Sequence, residues 1–373
     1  MTETVLRTAR FEDCQEGTAL LRRLGLDLLP EDRAAIERYW DRLWRSNPAH
    51  DGGRPMPLPG WVLENGGRIV GFFGNYAGEY RLGGRHIAVG LTTHWGVDQA
   101  FRSETRRLAE AYFNQPQADL ILVTTANAAA GRHFLRHGSI PMPQPGLDRA
   151  AFWVLDAGGF LVAAARKKGF PVPALARLAA PPLAAIAAVR RAPPSPPGEI
   201  AVSSGIDSFD ERMDDLWRAK AAESPPRLLA CRDARSLRWH FAPYAARGEL
   251  RVLMATAGGR LAGYAVVVPA PADVIGLKRA RVADLLARDD DPTVVRALLA
   301  KAIAVARADE MHVIEAGAVP ARLRPAVESL RPFYRTLPTR PYYWKAMDPS
   351  LAAVLADPSA WYITAYDGDA ALF

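Results

Sequence analysis

Residues 90–143 read GLTTHWGVDQAFRSETRRLAEAYFNQPQADLILVTTANAAAGRHFLRHGSIPMP, and the order of elements in this stretch decides the fold. A strand over Gly84–Val97 ends in a loop, Asp98–Phe101, and a turn that begins at Arg102. A helix over Thr105–Phe113 follows, then an apolar strand, Asp119–Thr124, and a second helix, Ala128–His137. A helix start offers unpaired amide N–H groups and a partial positive charge, which together suit a pyrophosphate. Arg102 and Arg106 would strengthen that hold.

Working outward, Val5–Arg10 reads as a strand and PEDRAAIERYWDRLWRS (Pro30–Ser46) as a helix with proline and two acids in its first turn. Gly60–Glu64 and Arg68–Gly74 read as strands joined by an Asn65-Gly66-Gly67 turn. A second region repeats this order. Ile200–Val202 opens it, Ser208–Lys220 is helical, and Leu250–Ala257 with Arg260–Val268 forms a hairpin around Gly258-Gly259. Arg281–Leu286 is a strand, Pro292–Ala308 a long helix, His312–Ala316 a strand and Arg322–Leu330 a helix, before an aromatic segment, Pro341–Met347. Between the regions, Leu183–Arg191 reads as a short amphipathic helix and Ala192–Gly198 (APPSPPG) as extended polyproline. The expected division is therefore 1–158, a Pro/Ala-rich linker over 159–199, and 200–373.

Composition fits this picture. A chain of 373 residues exceeds one comfortable core, and 49% apolar with 23% charged residues describes an ordinary globular protein. The apolar runs fall short of the ~20 residues that span a bilayer. The N-terminal MTETVLRTARFEDC carries acids and no apolar signal core, and Cys14 and Cys231 match no metal spacing, so the expected location is the cytoplasm. A net charge of +7 suits anionic partners, although no nucleic-acid-binding motif is present.

The segment 90–143 resembles the central motif of the GNAT acyltransferases, and Asn127, Ala130, Phe134, Gly138 and Ser139 fall at that family's spacing for Asn, Ala, Tyr, Gly and Phe. More weakly, Arg232–Tyr244 and the hairpin after it resemble the second half of tandem members. The resemblance implies an α/β (α+β) fold of two tandem GNAT-like units, each a mixed, mostly antiparallel twisted sheet flanked by helices. It also implies that two strands splay apart so that the pantetheine arm of a thioester pairs with a free strand edge, lined here by Thr93, Trp95 and Val97. Trp95 has two readings, packing on that arm or filling the core. Arg102, Ser103, Thr105 and Arg106 would hold the donor's phosphates, and Phe134 would lie beside its arm. Asn127 would bind the arm or cap its helix.

Two departures stand out. The turn Arg102-Ser103-Glu104-Thr105-Arg106-Arg107 lacks the family's glycines, which let backbone approach phosphate. Phe134 replaces a tyrosine that can protonate a leaving thiolate. In the second half the loop Ala287–Pro292 carries three consecutive aspartates, which would repel a pyrophosphate.

Acyl transfer to an amine needs a base and a group that polarises the thioester carbonyl. A backbone N–H near Val97 suits the carbonyl. His94 is the best-placed titratable side chain, although strand alternation sets it on the face opposite Thr93 and Trp95 unless a bulge intervenes, and a lone strand histidine also reads as structural. Glu79 and Tyr80, on the preceding hairpin arm, are rivals. No metal is expected, and His133 and His137 read as surface histidines. Arg166-Lys167-Lys168 is either a solvated face or a contact for a membrane or an acidic carrier protein, and Asp367-Gly368-Asp369 reads as a tight turn.

The expected activity is N-acyl transfer from a thioester on coenzyme A or an acyl carrier protein. The acceptor would be an amine: an amino sugar, an amino acid or a peptide side chain, with fatty acylation of a peptide included. The alternatives are a GNAT-like binding module without chemistry and an enzyme that draws on aminoacyl-tRNA.

Overall fold

A computed structural model describes residues 3–26, 29–126, 128–190, 200–337 and 342–372. In chain order the first part holds β1 (Thr4–Thr8), α1 (Cys14–Arg23), α2 (Arg33–Trp44), β2 (Gly60–Asn65), β3 (Arg68–Leu82), β4 (Arg85–Val97), α3 (Thr105–Phe113), β5 (Leu120–Val123), α4 (Ala128–Arg136), β6 (Ile140–Pro141) and β7 (Arg149–Val154). Two helices follow, α5 (Ala157–Lys167) and α6 (Ala180–Val189). The rest is β8 (Ile200–Ser203), α7 (Glu211–Ala221), β9 (Leu228–Ala230), α8 (Ala234–Ala246), β10 (Arg251–Ala257), β11 (Arg260–Pro269), β12 (Arg279–Ala287), α9 (Pro292–Ala308), β13 (Val313–Gly317), α10 (Arg324–Ser329), β14 (Phe333–Thr336), β15 (Tyr343–Ala346) and α11 (Pro349–Leu355).

The strands form two mixed sheets flanked by helices. One runs β1-β2-β3-β4-β5-β15-β6 with β9 beside β3, and the other runs β14-β7-β13-β12-β11-β10-β8. Pairing is antiparallel throughout except at β4/β5 and β12/β13. Strand pairing crosses the expected linker in both directions. β7 sits between β13 and β14, and β15 sits between β5 and β6. Of the stretch expected to be a linker, 159–190 is largely helical, and the polyproline reading over Ala192–Gly198 lies outside the described residues. α6 also differs from its expectation. It starts at Ala180, with Pro181 and Pro182 in its first turn, and its sequence APPLAAIAAV has no polar face.

Several elements extend or add to the sequence reading. β3 continues past Gly74 to Leu82, because Asn75, a strand-poor residue, is buried and bonded: its side-chain amide donates to the Leu58 carbonyl (2.8 Å) and its own carbonyl accepts from Trp44 Nε1 (2.9 Å). α1 carries Gly17 in its interior, which weakens the helical signal. A Cβ there would lie 2.9 Å from the Phe72 ring, so glycine is what lets α1 lie against β3. α8 tolerates Pro243 in its interior, with Asp233 capping its start (2.7 Å to the Ser236 amide).

Both sheets share one design feature. β4 and β5 pair only over Val89–Leu91 against Leu120–Leu122, and β4 then runs on to Val97. β12 and β13 pair over Arg279–Arg281 against Val313–Glu315, and β12 runs on to Ala287. Each freed strand leads into a helix, α3 or α9.

Candidate active site

The freed part of β4 is kinked. Its register with β3 passes from Thr92 opposite Asn75 to Trp95 opposite Phe73, so Thr93 and His94 together oppose Gly74. This is a β-bulge, which breaks the two-residue alternation. A Cβ on Gly74 would lie 2.8 Å from Phe72 and 3.0 Å from Thr93, so the bulge needs glycine there. The expected shared face for Thr93, Trp95 and Val97 is corrected accordingly. Thr92 and Trp95 lie toward α3, Thr92 bonding to the Tyr112 hydroxyl and Trp95 stacking on Phe73 with centroids 4.6 Å apart. Val97 joins Trp95 in that apolar cluster. Thr93 lies beside Tyr39 on the opposite side, where the Tyr39 hydroxyl meets His94 Nε2 at 2.6 Å.

His94 also meets the edge of Trp40. Burial lowers its pKa to about 4, so at neutral pH the ring carries no charge. Phe134 is buried and packs with Trp95, Phe113 and Tyr343. His133 and His137 are only part-exposed; they pack on Trp95 and Phe113 respectively. Among the described residues no group of three metal-ligating side chains occurs. Asn127 lies outside the described residues.

The loop after β4 departs from a simple helix start. A 3-10 turn over Gln99–Glu104 runs directly into α3, and the Thr105 amide donates to the Arg102 carbonyl. The turn therefore occupies α3's first amide, and the beginning of the helical segment moves back to Gln99. There the Asp98 carboxylate accepts the Ala100 amide at 3.3 Å. Arg102 and Ser103 are exposed on this turn and Thr105 is half-buried. Arg106 pairs with Glu110 at 3.1 Å, and Arg107 reaches the Thr4 carbonyl at 2.9 Å. Any anion here meets side-chain guanidinium groups first.

The loop after β12 is built oppositely. Asp289 and Asp290 both adopt left-handed backbone conformations (φ 54°). The buried Asp290 carboxylate is gripped by Lys220 Nζ at 2.6 Å and by Arg227 at 2.8 Å, and Lys220 also donates to the Ala287 carbonyl at 2.8 Å. Asp291 accepts the Thr293 amide at 2.7 Å at the start of α9. The second loop thus supplies its own anion and caps its own helix.

A further set of residues comes from the far end of the chain. Gly368–Ala371 forms a turn that touches β4. Asp369 accepts hydrogen bonds from Thr124 (2.9 Å) and Thr125 (2.7 Å), immediately beyond β5. Gly368 (φ 72°) lies so close to Thr124 that a Cβ would stand 2.0 Å from its hydroxyl. The carboxylate of Asp369 therefore sits at the base of the splay between β4 and β5. Its charge helps to push up the pKa of Tyr39 and Tyr76 after burial itself. The segment is anchored by a buried network in which Arg232 donates to Asp284 (2.9 Å), Thr364 (3.0 Å) and Asp367 (3.2 Å), and Tyr264 donates to Asp284 (2.6 Å). Burial raises the Asp367 pKa. A cavity of about 380 Å³ opens between the sheets beside Thr124 and Thr125, reaching Arg281, Glu315, Arg335 and Tyr342.

Glu79 and Tyr80 do not join His94. They lie toward the other end of the β3–β4 hairpin, roughly 20 Å away along the strands at ~3.3 Å per residue. Glu79 pairs with His86 (2.8 Å) and Arg81 (3.5 Å), and Tyr80 is buried facing Asp367. Asp369 was legible in the sequence only as half of an Asp-Gly-Asp turn. Gly74, a glycine inside a strand pattern, was the available signal for the bulge.

No protein-family model and no curated protein sequence matches the chain. Solved structures do. It is similar to a GCN5-related N-acetyltransferase from Kribbella flavida (12% identity, 95% of this chain and 73% of that one, TM-score 0.55). It is similar also to a probable N-acyltransferase of unknown function from Enterococcus faecalis (12%, 92% and 73%, TM-score 0.59). A third is Eis1 from Mycobacterium abscessus (16%, 95% and 76%, TM-score 0.52). At such identity the likeness is one of fold, and the fold is that of the GNAT proteins.

Proposed function

We propose that this chain is an N-acyltransferase that takes an acyl group from a coenzyme A thioester and delivers it to an amine held between the two sheets. The single observation that carries this reading is the stretch of β4 from Thr92 to Val97 that runs on beyond its pairing with β5, with the Asp369 carboxylate held at its base by Thr124 and Thr125. An unpaired strand edge presents backbone donors and acceptors to an extended, amide-bearing arm. In this reading the first sheet is the donor side, and the loop over Ala287–Pro292 is structural.

The thioester, when bound, supplies an activated carbonyl with a thiolate leaving group. A β4 backbone N–H near Val97 donates to that carbonyl oxygen. Arg102 and Arg106 meet the donor's phosphates, with Ser103 and Thr105 as hydroxyl partners. Trp95 and Phe134 form an apolar wall toward α3 that keeps water from the arm. Asp369 takes the ammonium proton of the acceptor, since an amine attacks only when neutral. His94, uncharged and tied to Tyr39, positions the β4 bulge. Phe134 donates no proton, so the thiolate leaves without help from that position.

The test is thiol release from acetyl- and longer acyl-coenzyme A over a panel of amines, with product masses measured. Turnover with at least one amine, lost in Asp369→Asn, supports the reading. Thermal stabilisation by acyl-coenzyme A without any turnover supports the second reading, a GNAT-fold binding module, which the glycine-free turn and Phe134 favour.

A further inference from the structure

The chain between the two sheets carries an unusual surface. From Arg166 to Arg190 every side chain is a cation or belongs to Gly, Ala, Pro, Val, Leu, Ile or Phe; there is no acid, amide or hydroxyl. α5 ends in Arg166 and Lys167, 3-10 turns over Pro173–Ala179 fold back against it, and α6 touches both. The apolar side chains of this layer point outward. Leu178 is 80% exposed, Leu175 62% and Phe170 58%, with Val172 and Ile186 also exposed. Val274, fully exposed, lies on the adjoining turn, whose Ile275 carbonyl accepts from Arg166 at 3.4 Å. Arg166, Lys167, Lys168 and Arg177 are exposed among them. Acids near the layer include Asp273 on that adjoining turn and Asp156, which caps the far end of α5 through the Gly158 and Gly159 amides.

We infer that this layer is a docking surface for an anionic lipid bilayer. Contiguous exposed aliphatic side chains are rare on proteins that stay in water and mark a contact. A specific protein interface carries about one hydrogen bond per 100–200 Å². The Arg166–Arg190 segment offers cations and apolar side chains but no uncharged polar one, which is the chemistry of anionic headgroups over acyl chains. No described helix is long and apolar enough to cross a membrane, so the layer lies on the surface. The inference stands apart from the acyl-transfer reading, because the layer contributes none of the residues assigned to that site.

The experiment is co-sedimentation of the full chain with vesicles of phosphatidylcholine alone and of phosphatidylcholine mixed with phosphatidylglycerol. The chain should pellet with the mixed vesicles, less so at high salt, and remain in solution with the neutral ones. Lys167→Glu with Lys168→Glu, and separately Leu175→Glu with Leu178→Glu, should each weaken binding at least tenfold, since one cation near such a surface contributes about fivefold. These exposed positions should leave the melting temperature unchanged. No binding to the mixed vesicles, or binding indifferent to both double variants, overturns the inference. So does a salt-insensitive oligomer that the Leu175 and Leu178 changes dissociate, because a second copy would then be the occupant.

Discussion

The loops that follow β4 and β12 occupy equivalent places in the two sheets, yet one faces outward with arginines and the other is filled from within. After β4, Arg102 is exposed on the turn and Arg106 on the first turn of α3, where Glu110 pairs with it, while the Asp98 carboxylate caps the turn's start. After β12, the Asp290 carboxylate lies buried between Lys220 and Arg227. One topology thus serves two ends. An open loop keeps positive charge available for a ligand, whereas a filled loop satisfies its cations internally and stabilises the fold. The same contrast extends to the freed strands, since Asp369 and its threonines attend β4.

If the two loops differ in this way, substitutions should separate stability from activity. The largest effect is expected at the open half: Asp369→Asn should lower kcat by about 10²–10⁴, the usual worth of a positioned base, with far less effect on the KM for acyl-coenzyme A. The filled half comes next. Asp290→Ala leaves buried cations short of a partner and should cost about 3 kcal/mol by urea denaturation, while donor binding by calorimetry stays unchanged. A loss of donor affinity there would erase the contrast.

His94 gives a pH signature of similar size. Its folded pKa of about 4 lies below the unfolded value near 6.5, so below that value the unfolded state takes up a proton that the folded state refuses. Stability should be intact at neutral pH and fall by up to about 3 kcal/mol as pH drops from 6.5 toward 4. Thermal melts of wild type and His94→Gln across this range check it, the variant lacking this component of the slope. The smallest effect is at the exposed arginines: Arg102→Gln with Arg106→Gln should raise the KM for acyl-coenzyme A about tenfold, more so at low salt, and leave the melting temperature in place.

Much of the fold was legible because its signals are local. α2, α3 and α9, the hairpins at Asn65-Gly66-Gly67 and Gly258-Gly259, and the strand before each long helix all announce themselves by periodicity, caps and turn residues. What escaped depends on partners remote in the chain. β7 and β15 each pair in the sheet on the other side of the 159–199 stretch, and nothing in Arg149–Val154 or Tyr343–Ala346 encodes that exchange. The bulge at Thr93 and His94 overrode plain alternation, which is why the predicted face of Thr93 was wrong. α1 was hidden by Gly17, whose value is contact with Phe72 and not helix propensity. Asp369 was hidden because an acid near a glycine reads as a turn until its burial against Thr124 and Thr125 is seen.

The most direct test of the account is amide hydrogen exchange with and without acetyl-coenzyme A. Exchange should slow on β4 between Thr92 and Val97, where an added extended arm would pair with the strand edge, and stay unchanged along Val282–Ala287 of β12. Unchanged exchange on β4 under saturating ligand, or protection on β12 instead, would contradict it.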